Sequence, residues 1–272
     1  MAVSAMDWPA ADAALVRNFG WNDRGKPVLG SVFQGEQPAL AAENGELIFF
    51  RREGDTVSRL PSPLGAWAAL DHGDGLISIY SRFEAGEESP PLFAEQNEPI
   101  AKAGISGWSS AKGFYFVLYD RRERRWVNPS MIITPLPDTR PPEILSVELR
   151  NLRGGQLIAA GARSLAQGRY AIVVSARDTR LSPRELPLAP HRIICSINGT
   201  EAGSLNFETI AARDGTLLVN LGTQADVRQI YAPFPAFEAG EALLSSGQAT
   251  LEVIAQDAAG NSRRFSRRMQ IE

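Results

Sequence analysis

Apolar residues in this chain recur in short runs separated by turn-forming residues, the spacing of strands rather than helices. GELIFFRRE (45–53), GAWAALDHG (65–73), GLISIYSRF (75–83) and GFYFVLYD (113–120) are rich in β-branched or aromatic residues and bounded by turn residues, which predicts four strands. HGDG (72–75) reads as a tight hairpin, because Asp-Gly accepts the positive φ of a two-residue turn. The polar, proline-containing stretch 83–99 reads as a surface loop. Further on, ILSVELR, GRYAIVVSARD, HRIICSING, GTLLVN and ATLEVIAQD continue the pattern. In the last of these, Leu251, Val253 and Ala255 share one face and Glu252, Ile254 and Gln256 the other, by the two-residue period. DAAGN (257–261) reads as a turn. No segment carries a convincing amphipathic helix, so the expected class is all-β.

The natural boundary is ITPLPDTRPPEI (133–144), whose four prolines lack the amide donors of a central strand and favour a stiff, extended linker. It predicts two domains, 1–137 and 138–272. The strand-rich second half predicts a β-sandwich, similar on pattern alone to immunoglobulin-like or fibronectin-like modules. With a net charge of −3 the chain has no overall basic field for nucleic acid or an anionic membrane. No apolar run approaches the roughly 20 residues of a membrane span, so no integral membrane segment is expected. The opening residues show no basic-then-apolar leader pattern. One cysteine, Cys195, excludes an intrachain disulfide and reads as a small buried hydrophobe.

The first half also carries five motif-like pieces in a particular order: RNFGW (17–21), LAAENGELIFF (40–50), AALDHGDGLISIYSRF (68–83), EPIAKAGISGWSS (98–110) and GFYFVLYDRRERRWVNP (113–129). In order and spacing these resemble the LytM/lysostaphin-type zinc endopeptidase domain, a small β-fold that cleaves peptide cross-links of bacterial cell walls. The resemblance runs from about Asn18 to Met131, close to half the chain. It implies a LytM-type β-fold followed by an immunoglobulin-like β-sandwich.

The same resemblance locates the family's zinc site and finds it erased. Such an enzyme holds zinc with two histidines and an aspartate and leaves a fourth position for the attacking water. Here the paired H-x-H positions match Gly113 and Tyr115, the H-x-G-x-D ligands match Val28 and Val32, and the further catalytic histidine matches Arg82. The chain has two histidines, His72 and His191. His72 falls in the hairpin, which is not a ligand position in the family, and His191 lies in the second half. No register supplies a ligand histidine plus an H-x-H pair, so neither a metal cofactor nor catalysis is expected.

Other chemistries are weaker. Asp71, His72 and Asp74 fit hairpin chemistry as well as acid–base work, and the serines of GISGWSS do not form a nucleophile elbow. The basic runs RRERR (121–125) and RRFSRR (263–268) suit either an anionic partner or solvated strand tips and edges. Trp21, Tyr80, Arg82, Trp108 and Tyr115 occupy or flank the groove positions, as core packing or as ligand-binding aromatics. The resemblance therefore implies a non-catalytic, periplasmic or surface protein that binds peptidoglycan or partners a cell-wall hydrolase or another envelope protein. A purely structural envelope module and a divergent zinc endopeptidase are the alternatives.

Overall fold

The computed structural model describes residues 5–10, 14–54, 61–86, 88–179, 186–232 and 236–272. Residues 1–4 and 11–13 of the opening segment and residue 87 of the stretch read as a loop lie outside this description. The chain divides into two compact units, one made of Met1–Phe19 with Leu29–Pro135 and the other of Gly20–Val28 with Leu136–Glu272. Both are built of strands, as the hydrophobic pattern predicts. The described helices are a four-residue α-helix, Val227–Ile230, and a three-residue 3-10 turn, Pro129–Met131. Among the described residues no helix is long and apolar enough to cross a membrane.

The first unit is an antiparallel sheet. Its strands run in the order Phe93–Ala94, Gly45–Arg51, Trp67–Asp71, Leu76–Ser81, Gly113–Asp120. The far side of Gly113–Asp120 is shared: Ser31–Gln34 pairs with its first half and Arg125–Val127 with its second. Ala14–Arg17 then pairs outside Ser31–Gln34. Alternation sorts the side chains. Phe33, Ala68, Leu70, Tyr80, Phe114, Phe116 and Leu118 point inward and join Ala39, Ala42, Ile100, Ala103 and Ile133 in one core. Phe33 stacks on Phe114 with ring centroids 5.0 Å apart, and Tyr80 meets Phe116 at 5.3 Å. The dense packing of such rings is what fixes the sheet, since each buries a large apolar area.

Two sequence expectations change here. The 72–75 hairpin is wider than a two-residue turn: Gly73, Asp74 and Gly75 all take positive φ, and His72 N–H closes it on Leu76 O at 3.0 Å. Three left-handed residues in a row need two glycines, which explains the spelling better than Asp-Gly alone. The stretch 83–99 is not all loop, because Phe93–Ala94 pairs with Gly45 and Glu46.

The second unit has two antiparallel sheets. In one, Leu157–Ala159, Glu143–Asn151 and Gly168–Thr179 are neighbours, and Ala236–Leu244 and Pro187–Leu188 share the remaining side of Gly168–Thr179. In the other the order is Ser262–Ile271, Gly247–Gln256, Arg192–Ile197, Thr200–Arg213, Thr216–Leu221, Gln224–Asp226. Leu251, Val253 and Ala255 are fully buried on the face the alternation predicted, and so is Cys195, whose thiol burial pushes up to about 12. The hairpin Gly20–Val28 belongs to this unit. Gly20 takes φ 80°, its Cα lies where any Cβ would come 2.6 Å from the Phe207 ring, and its carbonyl accepts from the Tyr231 hydroxyl at 2.9 Å. Asn22 donates through Nδ2 to Ala232 O and Ala236 O at 2.9 and 3.0 Å.

Candidate functional site

The inner face of the first unit's sheet is core, so any site on it must use the outer face and the loops at its rim. Tyr115 lies on that outer face, in register with Val32 on one side and Ser81 on the other. Arg82 follows Ser81 with φ 71°, a left-handed turn that ends the strand and is held by its N–H to Leu64 O at 2.8 Å. That turn brings the Arg82 guanidinium over the Tyr115 ring, 5.0 Å from its centroid. The Tyr115 hydroxyl in turn accepts the Leu29 N–H at 3.1 Å. Burial pushes the Tyr115 phenol up to about 12, against the opposing pull of the Leu29 hydrogen bond and the Arg82 charge. At neutral pH it is a protonated phenol with its oxygen engaged, not a metal-ligating phenolate.

Gly113, the other half of the paired position, is closed by geometry. A Cβ there would lie 2.0 Å from the Phe33 carbonyl oxygen. The strands Ser31–Gln34 and Gly113–Asp120 approach so closely at this point that a histidine would have to push them apart. Of the five positions that the resemblance matched to the family's site, Val32, Arg82 and Tyr115 sit together as an apolar, cation-on-aromatic cluster, and Gly113 borders it without room for a side chain. The fifth, Val28, belongs to the second unit.

The aromatic candidates separate. Tyr80 is completely buried; it accepts the Ala42 N–H at 2.8 Å, and burial pushes its phenol up to about 12. It offers a ligand no surface. Trp21 is also buried, within the second unit. The Trp108 side chain is exposed (76%) in the loop before Gly113–Asp120, and the residue's backbone N–H donates to Pro63 O at 3.1 Å. Of the aromatic and basic candidates on this unit, Tyr115 and Arg82 are half-buried and Trp108 is exposed.

His72 is a structural histidine. Its Nδ1 lies 2.9 Å from the Asn44 carbonyl, which can only accept, so Nδ1 carries the proton and Nε2 accepts from the Ser78 hydroxyl at 2.6 Å. Asp71 accepts the Gly73 N–H at 2.9 Å and pairs with Arg121 at 3.5 Å; Asp74 pairs with Arg122 at 3.2 Å. With Arg125 3.5 Å from Asp120, three arginines of the 121–125 run are answered by local carboxylates, which favours the solvated tip over an anion grip. In RRFSRR, Arg263, Arg264, Arg267 and Arg268 are all exposed along Ser262–Ile271.

Among the described residues, one group of three His, Cys, Asp or Glu side chains comes within ligand distance: Asp138, Asp178 and Asp257, whose oxygens lie within 4.8 Å of one another. It is in the second unit, and its members are far apart in the chain, so no local motif announced it. The exposed apolar residues Ile48, Phe49, Leu92 and Phe93 were also missed. Their signal is visible afterwards: LIFF in GELIFFRRE breaks the two-residue alternation that a strand with one solvated face should keep.

One protein-family model matches residues 141–272, within the second unit. Comparison with curated proteins finds no match. Among solved structures the chain is similar to lysostaphin from Staphylococcus simulans, at 13% identity and a TM-score of 0.37 over 80% of this chain and 87% of that one. It is also similar to a chain of the SpoIIQ–SpoIIIAH pore-forming complex, at 18% identity and 0.38 over 48% and 92%. A zinc-containing peptidase from Vibrio cholerae is similar at 17% identity and 0.39 over 49% and 41%.

Proposed function

We propose that the first unit is a zinc-endopeptidase-like domain without its own metal chemistry. It acts in the cell envelope by binding peptidoglycan or by partnering a wall hydrolase, beside an immunoglobulin-like second unit. The observation that carries this reading is the filling of the ligand positions. Tyr115 lies under Arg82 at positions where the resemblance implies two imidazoles, and Gly113, matched to a third, has no room for a side chain. An arginine over a tyrosine face offers apolar area plus hydrogen-bond donors, the properties a groove needs to hold an extended peptide.

Two measurements test it. Metal analysis of the purified chain should find far less than one zinc per molecule, and wall suspensions should keep their turbidity with or without chelator. Stoichiometric zinc that disappears in Tyr115→Ala, or chelator-sensitive lysis, overturns the non-catalytic reading in favour of a divergent endopeptidase. Sedimentation with insoluble peptidoglycan should carry the protein down, and Arg82→Ala with Trp108→Ala should release it. No sedimentation, together with no stimulation of a wall amidase, overturns the binding role.

A further inference from the structure

The two basic runs of the chain look alike in sequence and differ in their surroundings. At 121–125, local carboxylates answer three arginines. Along Ser262–Ile271, Glu252 answers Arg264, while Arg263, Arg267 and Arg268 have no ion pair among the described residues. This strand stands at the end of its sheet. Among the described residues its far edge is met only at the close, where the Leu165 N–H donates to Gln270 O at 2.9 Å and the Glu272 N–H to Leu165 O at 2.8 Å. The approaching segment adds charge of the same sign. It carries the exposed Arg163 two residues before Leu165, and a Cβ on its Gly161 would come 3.5 Å from the Arg267 guanidinium. A guard against strand pairing works with charge of either sign. Five exposed arginines, four of them without a carboxylate partner among the described residues, instead make a local positive field on a chain of net charge −3.

The layout of that field selects the ligand. Arg263 and Arg267 stand in register with Ala255 and Leu251, on the face whose partners are buried, and Arg264 and Arg268 stand in register with Ile254 and Thr250 on the opposite face. The edge therefore carries one row of guanidinium groups on each side, and at a strand's rise per residue each row steps roughly 13 Å. A flat membrane surface meets one row, whereas a chain lying along the edge meets both. The strand's aromatic residue, Phe265, is half-buried, so the edge lacks the stacking platform on which single-stranded nucleic acids lay their bases. A guanidinium fork matches the oxygens of a phosphate. We infer that the edge 263–268, with Arg163, binds a linear, base-free chain of phosphate diesters running along the strand. The site is separate from the groove of the first unit and does not depend on how that groove is read.

Fluorescence anisotropy of labelled poly(glycerol phosphate) with the full chain tests this. Binding is expected in dilute salt, and it should weaken roughly 50-fold between about 50 and 200 mM, the loss that about four phosphate contacts carry on a single strand. Arg263→Gln with Arg267→Gln and, separately, Arg264→Gln with Arg268→Gln should each about halve the salt dependence, because each pair removes one row. Arg121→Gln with Arg122→Gln, at the answered tip, should leave affinity and salt dependence unchanged. Arg263→Lys with Arg267→Lys keeps the charge that guards the edge and loses the planar fork; it should keep the salt dependence and weaken binding several-fold, and it remains readable where a glutamine pair aggregates. No binding by the wild type, a loss confined to one row, an equal loss at the tip, or tighter binding of a thymidine oligonucleotide or of anionic phospholipid vesicles overturns the proposal.

Discussion

The two faces of the first unit's sheet are made by the same strands, yet they follow different rules. The inner face is Phe33, Tyr80, Phe114, Phe116 and Leu118, nearly inaccessible and ring against ring. The outer face carries Val32, Tyr115 and, at its rim, Arg82, all half-buried. The lesson is that burial alternates residue by residue along one strand: Phe114 and Phe116 sit in the core, and Tyr115 between them lies half-buried on the other face.

Substitutions on the two faces should therefore differ in size. Phe116→Ala empties a ring-sized volume inside the core and should cost about 3–5 kcal/mol in chemical denaturation, whereas Val32→Ala on the outer face should cost under about 1.5 kcal/mol. Equal costs would mean that the outer face is packed as core. Tyrosine hydroxyls give a finer contrast. Tyr80→Phe strands the buried Ala42 N–H and should cost about 1–3 kcal/mol, while Tyr115→Phe removes a part-buried bond and should cost about 0.5–1.5 kcal/mol. The smallest effect is in pH. Tyr80 and Tyr115 both titrate at about 12 when folded, above the ordinary 10 of an unfolded chain. A raised phenol favours the folded state below pH 10, and that contribution fades as pH rises from 10 to 12. Tyrosinate absorbance should show both rings silent at pH 10 in the folded protein and titrating once it is unfolded, with Tyr115→Phe removing one of the two.

Most of the fold was legible because alternation is a local signal. ATLEVIAQD declares an inner face within a few residues, and that face is the buried one. The shortage of histidine was legible for a different reason, since the chain's two histidines can be counted. What was hidden depends on distance or on backbone geometry. Nothing near Gly113 says that the Phe33 carbonyl sits where a side chain would begin. The rim position of Arg82 depends on a left-handed φ that arginine rarely adopts, so its place over Tyr115 could not be read from SRF. Tyr80 read as a groove residue because it stands two residues before Arg82, yet its side chain is on the core face and completely buried.

The hairpin Gly20–Val28 sets a timetable for making this protein. Its partner Tyr231 lies 211 residues later, so at about 5–20 residues per second a ribosome needs roughly 10–40 s to deliver the hydroxyl that Gly20 accepts. During that interval the hairpin is tethered to Phe19 on one side and Leu29 on the other, both parts of a unit whose chain is complete by Pro135. The first unit can finish while the second still waits for its earliest piece to be used. A gene fragment starting at Leu136 would never receive that piece, and the Phe207 ring against which Gly20 sits would face water.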